Sequence, residues 1–549
     1  MQSQTSGPIL LDLYPECGTY LPGQIVKLIL ELESTEEQVP TLQLTITRGT
    51  RVIENLVKTV SLNTGFNLIE WSWNPLFEAP SGYGADVKIV PLDRDHSRLA
   101  CNIETAFDVL PNWTVFPRYG FLCDFSPDRM QAAETLQALA KYHINGIQFY
   151  DWQYRHDRLV PDGDQYVDPL GRSLSLKTIR HLLDQAHLHG MAAMPYLAVY
   201  AASAAFWRKN LDWALYDRAG NPIAFGENFL GLMDPTPGMP WQRHLLDECS
   251  RVLNRLPFDG LHVDQYGEPK VAYDHSGHAV DLPDAFEHFV QSAVQEHPGK
   301  PVLFNAVGNW PIESLAKAPI AFNDIEVWPP DTSYPDLVRI VRNARRLSSE
   351  KPVVIALYIQ AERIPNIRLA NALIHSAGGS RIQLGENERL LSDPYFPKHE
   401  PLSEDLRIAL RRSADFVVRY SGWFSPSIPE SPEIAIRAQA GVETFLRRTT
   451  QGCCVSLVNL VDMQACHWNE FHVAPRPISN LGLELDFPHE IHHIWMASPD
   501  GESNQARQVE FIQHSGCVQV RIPRLDIWSV LFFETKQHET NVNSWQEYI

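Results

Sequence analysis

The chain reads as a multidomain protein: a central (β/α)8 TIM barrel, flanked by an N-terminal immunoglobulin-like and a C-terminal β-sandwich domain. Three observations predict it. At 549 residues the chain exceeds one ordinary hydrophobic core. Its middle alternates apolar strand-like runs with helical stretches, the rhythm of a parallel α/β domain. Both ends carry short apolar runs broken by turn residues, without helical period. The expected units are 1–112, 113–420 and 421–549, with a linker at 111–117.

In the first unit, the runs 25–30, 42–46 and 66–71 alternate with turn signals such as Pro22-Gly23 and Pro80-Ser81-Gly82. In the second, eight candidate strands fall at 119–124, 146–150, 192–197, 260–264, 302–306, 320–327, 353–358 and 380–384. Helical segments lie between them, among them 128–143, 176–189, 240–255, 281–297 and 334–347. Eight strand–helix units over roughly 300 residues suit a closed barrel. An open dinucleotide-binding sheet wants a glycine-rich turn after its first strand, and Cys123-Asp124-Phe125-Ser126-Pro127 offers none. In the third unit, 446–448, 455–460, 518–522 and 528–533 are strand candidates.

Composition narrows the function. The formal net charge of −20 argues against nucleic acid and anionic membrane surfaces, which reward clusters of Lys and Arg. No window approaches the roughly 18 unbroken apolar residues of a membrane span. The start, Met1-Gln2-Ser3-Gln4-Thr5-Ser6, has neither the basic nor the apolar region of a secretory leader. A cytoplasmic enzyme is expected, or a secreted one if a leader has been removed. The eight cysteines include no Cys-x-x-Cys pair, so buried free thiols are expected rather than a metal or redox site. The oligomeric state is not legible.

Residues at the carboxyl ends of barrel strands face the active site. Those ends carry Asp124; Tyr150, Asp151 and Trp152; Tyr196, with Tyr200 beyond; His262, Asp264, Gln265 and Tyr266; Asn305; Asp324, Glu326 and Trp328; Tyr358 and Gln360; and Gln383 and Glu386. Carboxylates, amides and aromatics at one rim suit a sugar, whose hydroxyls need donors and acceptors and whose ring faces need flat apolar walls. Cleaving a glycosidic bond takes two carboxyl groups in different environments. Asp264 ends the apolar run from Phe258, so its carboxylate is expected to be well placed and rigid. Glu326 lies 62 positions on, two strands along the barrel. Asp324, Asp151 and Glu386 are rivals for the acid/base role, and an acid at a strand end also serves as a helix cap.

The stretch Gly146-Ile147-Gln148-Phe149-Tyr150-Asp151-Trp152-Gln153-Tyr154-Arg155-His156 resembles glycoside hydrolase family 66, the family of endo-dextranases and cycloisomaltooligosaccharide glucanotransferases. Four more stretches agree: Tyr119 to Leu122, Ala193 to Tyr196, Phe258 to Gln265, and Leu384-Gly385-Glu386 followed by Pro394-Tyr395-Phe396-Pro397. The resemblance implies Asp264 as nucleophile, Glu326 as acid/base, retention of configuration and α-1,6-linked glucan as substrate. It leaves Asp151, Trp152, Tyr196, His262, Gln265, Asn305, Trp328 and Glu386 as the expected substrate shell. Glu326 then needs a raised pKa, which the charge of Asp264 favours. No cofactor and no metal are expected. The chain has no spare segment for the carbohydrate-binding insertion of the glucanotransferases, so hydrolysis of dextran or isomalto-oligosaccharides is expected. The alternatives are a transglycosylase making longer or cyclic products and a non-catalytic carbohydrate-binding barrel.

Other features read as structural. The acidic run Asp162 to Asp168 misses calcium-loop spacing and is expected as a solvated loop. His492-His493 and Cys453-Cys454 sit among apolar β residues, and Gly378-Gly379 is expected to turn the chain into the eighth strand.

Overall fold

The computed structural model describes residues 8–75, 80–90, 102–129, 131–431, 434–449, 452–463, 466–487 and 489–535. Near the N-terminus, Ile9–Pro15, Val26–Ser34 and Gly65–Trp73 form one antiparallel sheet. Thr41–Arg48, Arg51–Thr59, Ser81–Val90 and Asn102–Val109 form the second. The pleat alternates side chains, so Val26, Leu28, Leu30 and Leu32 all turn inward. They share a core with Leu42, Leu44 and Ile46 of the facing sheet and with the ring cluster of Trp73, Tyr83 and Phe107.

Eight parallel strands follow in chain order: Tyr119–Leu122, Gly146–Phe149, Ala192–Ala198, Leu261–Asp264, Val302–Val307, Asn323–Glu326, Val353–Ala356 and Gly379–Ile382. Each pairs with the next. The eighth continues into Leu384–Gly385, where Gly385 pairs with Phe121 of the first, so the sheet curls into a TIM-like barrel. Glycine is required at that seam, because a Cβ on Gly385 would sit 2.1 Å from the Phe121 carbonyl oxygen. Most barrel strands are buried along their whole length. Tyr119, Phe121, Met194, Leu303, Phe322 and Val354 fill the interior, while the outward residues pack under the helices.

The helices are set by their ends. Ser175 accepts from the backbone of Lys177 and Thr178 to start Leu176–Leu188, and Asp281 starts Leu282–Glu296 in the same way. Ser333 and Asp336 form a capping box ahead of Tyr334–Leu347, whose buried face is Leu337, Val338, Ile340, Val341 and Ala344. Gly378, at φ +93°, ends Ile364–Ala377 and turns the chain into the eighth strand. The expected sixth strand, 320–327, is shortened to Asn323–Glu326: Ile320 and Phe322 are buried, but in the approach to the strand rather than all within its ladder.

Helix Glu404–Arg419 ties the barrel to the N-terminal sheets. Arg419 pairs with Asp86 at 2.6 Å, and Asp415 accepts from Thr105 at 2.9 Å and lies 2.8 Å from His143. Beyond it, a four-stranded sheet (Ile436–Arg437, Ile478–Asp486, Cys517–Leu525, Phe511–His514) faces a five-stranded one (Val442–Thr449, Gly452–Asn459, Trp528–Thr535, Ile491–Ala497, Arg507–Gln508). Cys453 is buried in the core between them, Cys454 is buried on the barrel side, and the His493 ring meets Gln508 at 2.9 Å. Among the described residues, no helix is long and apolar enough to cross a membrane.

Candidate active site

A cavity of about 400 Å³ opens at the carboxyl end of the barrel, within the size range of small-molecule sites. Its floor is set by three neighbouring strands. Asp264 ends the fourth, Asn305 lies in the fifth, and Glu326 ends the sixth. The Asn305 side-chain nitrogen donates to Asp264 Oδ1 at 2.9 Å and to Glu326 Oε2 at 3.1 Å. Two oxygens held by one nitrogen lie no farther apart than those distances together, about 6 Å. Tyr196 donates to Asp264 Oδ2 at 3.1 Å, and Tyr358 donates to Glu326 Oε1 at 2.6 Å. Among the described residues, no lysine or arginine pairs with either carboxylate.

Neutral donors in a recessed site leave both carboxyls raised. Burial, then the charge of Glu326, pushes Asp264 up to about 7 against the donors from Asn305, Gln265 and Tyr196. Burial also raises Glu326, opposed by Tyr358, Asn305 and Trp328.

Asp324 points into the same barrel interior one pleat below Glu326. Burial, then the nearby charges of Asp264 and Glu326, raises it well above the usual carboxylate range. It lies 3.5 Å from His262 Nε2, while His262 Nδ1 lies 3.1 Å from the Tyr119 hydroxyl. Burial lowers His262 to about 3, so its ring is neutral. This network is a polar layer beneath the pair, facing the cavity only at its deepest point.

The remaining wall is aromatic and amide-rich. Tyr150 stacks on Phe396 at 4.2 Å, Tyr200 meets Tyr266 edge-on at 4.7 Å, and Trp328, 38% exposed, leans on Tyr358 at the mouth. Asp151 lines the cavity with φ +52°, and burial raises it to about 6 despite Arg172 at 3.8 Å. Gln265 lines the cavity, but its amide is occupied in shaping the next loop, donating to Trp310 O and accepting from Gly267 N.

Two residues expected in the substrate shell lie elsewhere. Trp152 is fully buried behind the third strand, its indole donating to Tyr196 O at 3.1 Å and packing on Phe258. Glu386 accepts from the backbone of Cys123 and Asp124, both at 3.2 Å, and pairs with Arg129 at 2.5 Å, so it locks the barrel seam and is not among the residues lining the cavity. Both follow the strand-end pattern, but their side chains point away from the opening. Conversely, Gln153, His156, Phe225, Phe229 and Tyr395 line the cavity. Gln153 and His156 follow Asp151 in the same loop, within reach of the rule that found it. Phe225 and Phe229 come from a small sheet after the third strand (Ala201–Ser203, Ala224–Phe225, Leu230–Leu232) that no periodic signal announces. In the acidic run, Asp164 caps a helix by accepting from Lys177 N, and Asp168 pairs with Arg172 at 2.7 Å. Among the described residues, no group of three His, Cys, Asp or Glu is arranged to hold a metal ion.

The site thus presents two adjacent carboxyls whose pKa values are raised, hydroxyl and amide donors, and ring faces: the equipment for acid/base and nucleophilic chemistry on a neutral, hydroxylated ligand. Residues 16–532 match Glycosyl hydrolase family 66, and the chain belongs to that family. It is 26% identical to a cycloisomaltooligosaccharide glucanotransferase of Niallia circulans over 388 residues, 65% of this chain and 39% of that protein. It is 24% identical to a dextranase of Streptococcus salivarius over 246 residues, 39% of this chain and 30% of that one. The chain therefore spans well under half the length of these curated relatives. Its fold is that of the cycloisomaltooligosaccharide glucanotransferase of Paenibacillus sp. solved with cycloisomaltoheptaose: TM-score 0.88, 20% identity, 95% of this chain and 99% of that one.

Proposed function

We propose that this chain is a retaining glycosidase that hydrolyses α-1,6-glucosidic linkages in dextran or isomalto-oligosaccharides, with Asp264 as nucleophile and Glu326 as acid/base. The observation that carries the reading is the carboxylate separation. Retaining enzymes hold the two groups about 5–5.5 Å apart, whereas inverting enzymes leave about 6.5–9.5 Å for a water. Oxygens sharing the Asn305 nitrogen lie within about 6 Å of each other, short of the second range. The substrate class follows the relatives, which are named as a dextranase and as cycloisomaltooligosaccharide glucanotransferases.

In the first step Asp264 attacks the anomeric carbon, the bond to the leaving oxygen breaks, and Glu326 gives that oxygen its proton. In the second, Glu326 takes a proton from water as the water oxygen replaces the carboxylate at the same carbon, which restores the starting configuration. Trp328 and Tyr358 flank Glu326 and suit the leaving sugar, while Tyr150, Asp151 and Tyr196 suit the sugar that is attacked. The same reading takes the chain as an immunoglobulin-like sandwich over 1–112, a (β/α)8 barrel over 113–420 and a second sandwich over 421–549, supported by the separate cores within the first and last ranges.

Transfer to a second sugar is the other reading, favoured because two of the curated relatives are named as cycloisomaltooligosaccharide glucanotransferases. Incubation with dextran, isomaltotriose and starch separates the readings. Shorter products with new reducing ends from dextran alone support hydrolysis of α-1,6 linkages, longer or cyclic products support transfer, and no change on any of the three contradicts both.

A further inference from the structure

We propose that Asn305 is a positioning residue: it bridges the two carboxylates, fixing their separation and stabilising their shared negative charge. The inference rests on the glycosidase reading of this site. The fifth barrel strand runs between the strands bearing Asp264 and Glu326, so a side chain from it lies between the two acids. Of the common side chains, an amide alone offers two diverging hydrogens on one uncharged nitrogen. The reverse orientation of the amide would face its oxygen against two carboxylate oxygens, so the neighbours fix which way it points. With that nitrogen engaged, the Asn305 carbonyl oxygen is left buried with no partner among the described residues, a cost the bridge has to outweigh.

Among the described residues, no cation competes with this bridge. The titratable groups around the pair are Asp324 and the neutral His262 below, Tyr196 from the third strand and Tyr200 beyond it, Tyr358 from the seventh, Tyr150 from the second and Asp151 beyond it. Apart from the neutral His262, each is a tyrosine or an acid. A lysine in place of Asn305 would hold both carboxyls ionised and leave no acid, and an ionised aspartate would add a third negative charge. The amide pulls the pair together without settling its proton.

The test compares wild type with Asn305→Ala and the isosteric Asn305→Asp, with folding checked by thermal melting. In substrate-free protein, the carboxyl titration of the pair is followed by infrared difference spectroscopy. Loss of the bridging donor is expected to move its midpoint up by about one pH unit or more. On dextran, Asn305→Ala is expected to lose kcat by about a hundredfold or more, with KM within about threefold and the alkaline limb of kcat moved upward. Asn305→Asp is expected to regain activity as pH falls and its own carboxyl becomes a neutral donor; should Asn305→Ala fail to fold, this rise carries the test. An unmoved titration, or a loss confined to KM, overturns the proposal. A shifted titration in a protein that cleaves and transfers nothing upholds the bridge and overturns the glycosidase reading instead.

Discussion

Two kinds of carboxylate stand at the same end of the barrel, and their neighbours differ. Glu386 is almost completely buried against Arg129 and two backbone N–H groups, a cation and fixed dipoles that fasten its charge in place. Asp264 and Glu326 meet uncharged donors: the Asn305 amide, the Tyr196 and Tyr358 hydroxyls, the Gln265 backbone and the Trp328 side chain. The first arrangement closes the seam between the eighth strand and the first. The second keeps two acids close together in a buried site, which raises both, Asp264 in part through the charge of Glu326.

The largest effect should come from the pair itself. Asp264→Asn is expected to cost on the order of 10⁴ in kcat on dextran, measured as reducing ends released. The same variant should be more stable than wild type at pH 8. The wild-type carboxyl is raised in the fold to about 7, so folding is favoured fully below about 4 and loses stability as pH climbs toward 7 and beyond. The gain should fade below pH 4 and reach at most a few kcal/mol, read from urea melts at several pH values. A variant as unstable as wild type at pH 8 would mean that the pair is not under strain.

Arg129→Ala tests the other half of the contrast. Stranding a buried Glu386 should cost about 3–5 kcal/mol in urea melts; a loss of activity without loss of stability would return Glu386 to the substrate shell.

Tyr358→Phe should be milder. Removing its hydroxyl from Glu326 is expected to lower kcat roughly tenfold and to move the alkaline limb upward, because a donor to the charged form is lost. An unchanged pH profile would remove Tyr358 from the account. Smallest of all, Trp328→Ala at the exposed mouth should raise KM severalfold for oligosaccharides and leave an activated aryl glucoside little changed. Equal loss on both would place its ring against the reacting sugar.

Much of the architecture was legible because the barrel strands are short, apolar and separated by capped helices. The eight runs are recovered within a few residues at each end, and Gly378-Gly379 does turn the chain into the last. The rim was legible in part. Counting to strand ends reached Asp264, Asn305, Glu326, Tyr196 and Tyr358, but the same count also reached Trp152 and Glu386, because direction depends on strand twist and on partners far off in the chain. Arg129 lies 257 positions from Glu386 and gives no local sign of the pairing. The wall from the small sheet after the third strand was invisible for a similar reason: Phe225 and Phe229 sit in two- and three-residue strands and turns that only the finished barrel holds in place.

The most direct test of the central claim is to trap the intermediate. A fluorinated α-glucosyl fluoride, which slows the second step more than the first, should lose its anomeric fluoride and add one fluoroglucosyl mass to the protein, and peptide mapping should find it on Asp264, with Glu326 unlabelled. Label on Glu326 or on another carboxyl, or no label together with inverted configuration in the first product, would contradict the assignment of Asp264 as nucleophile.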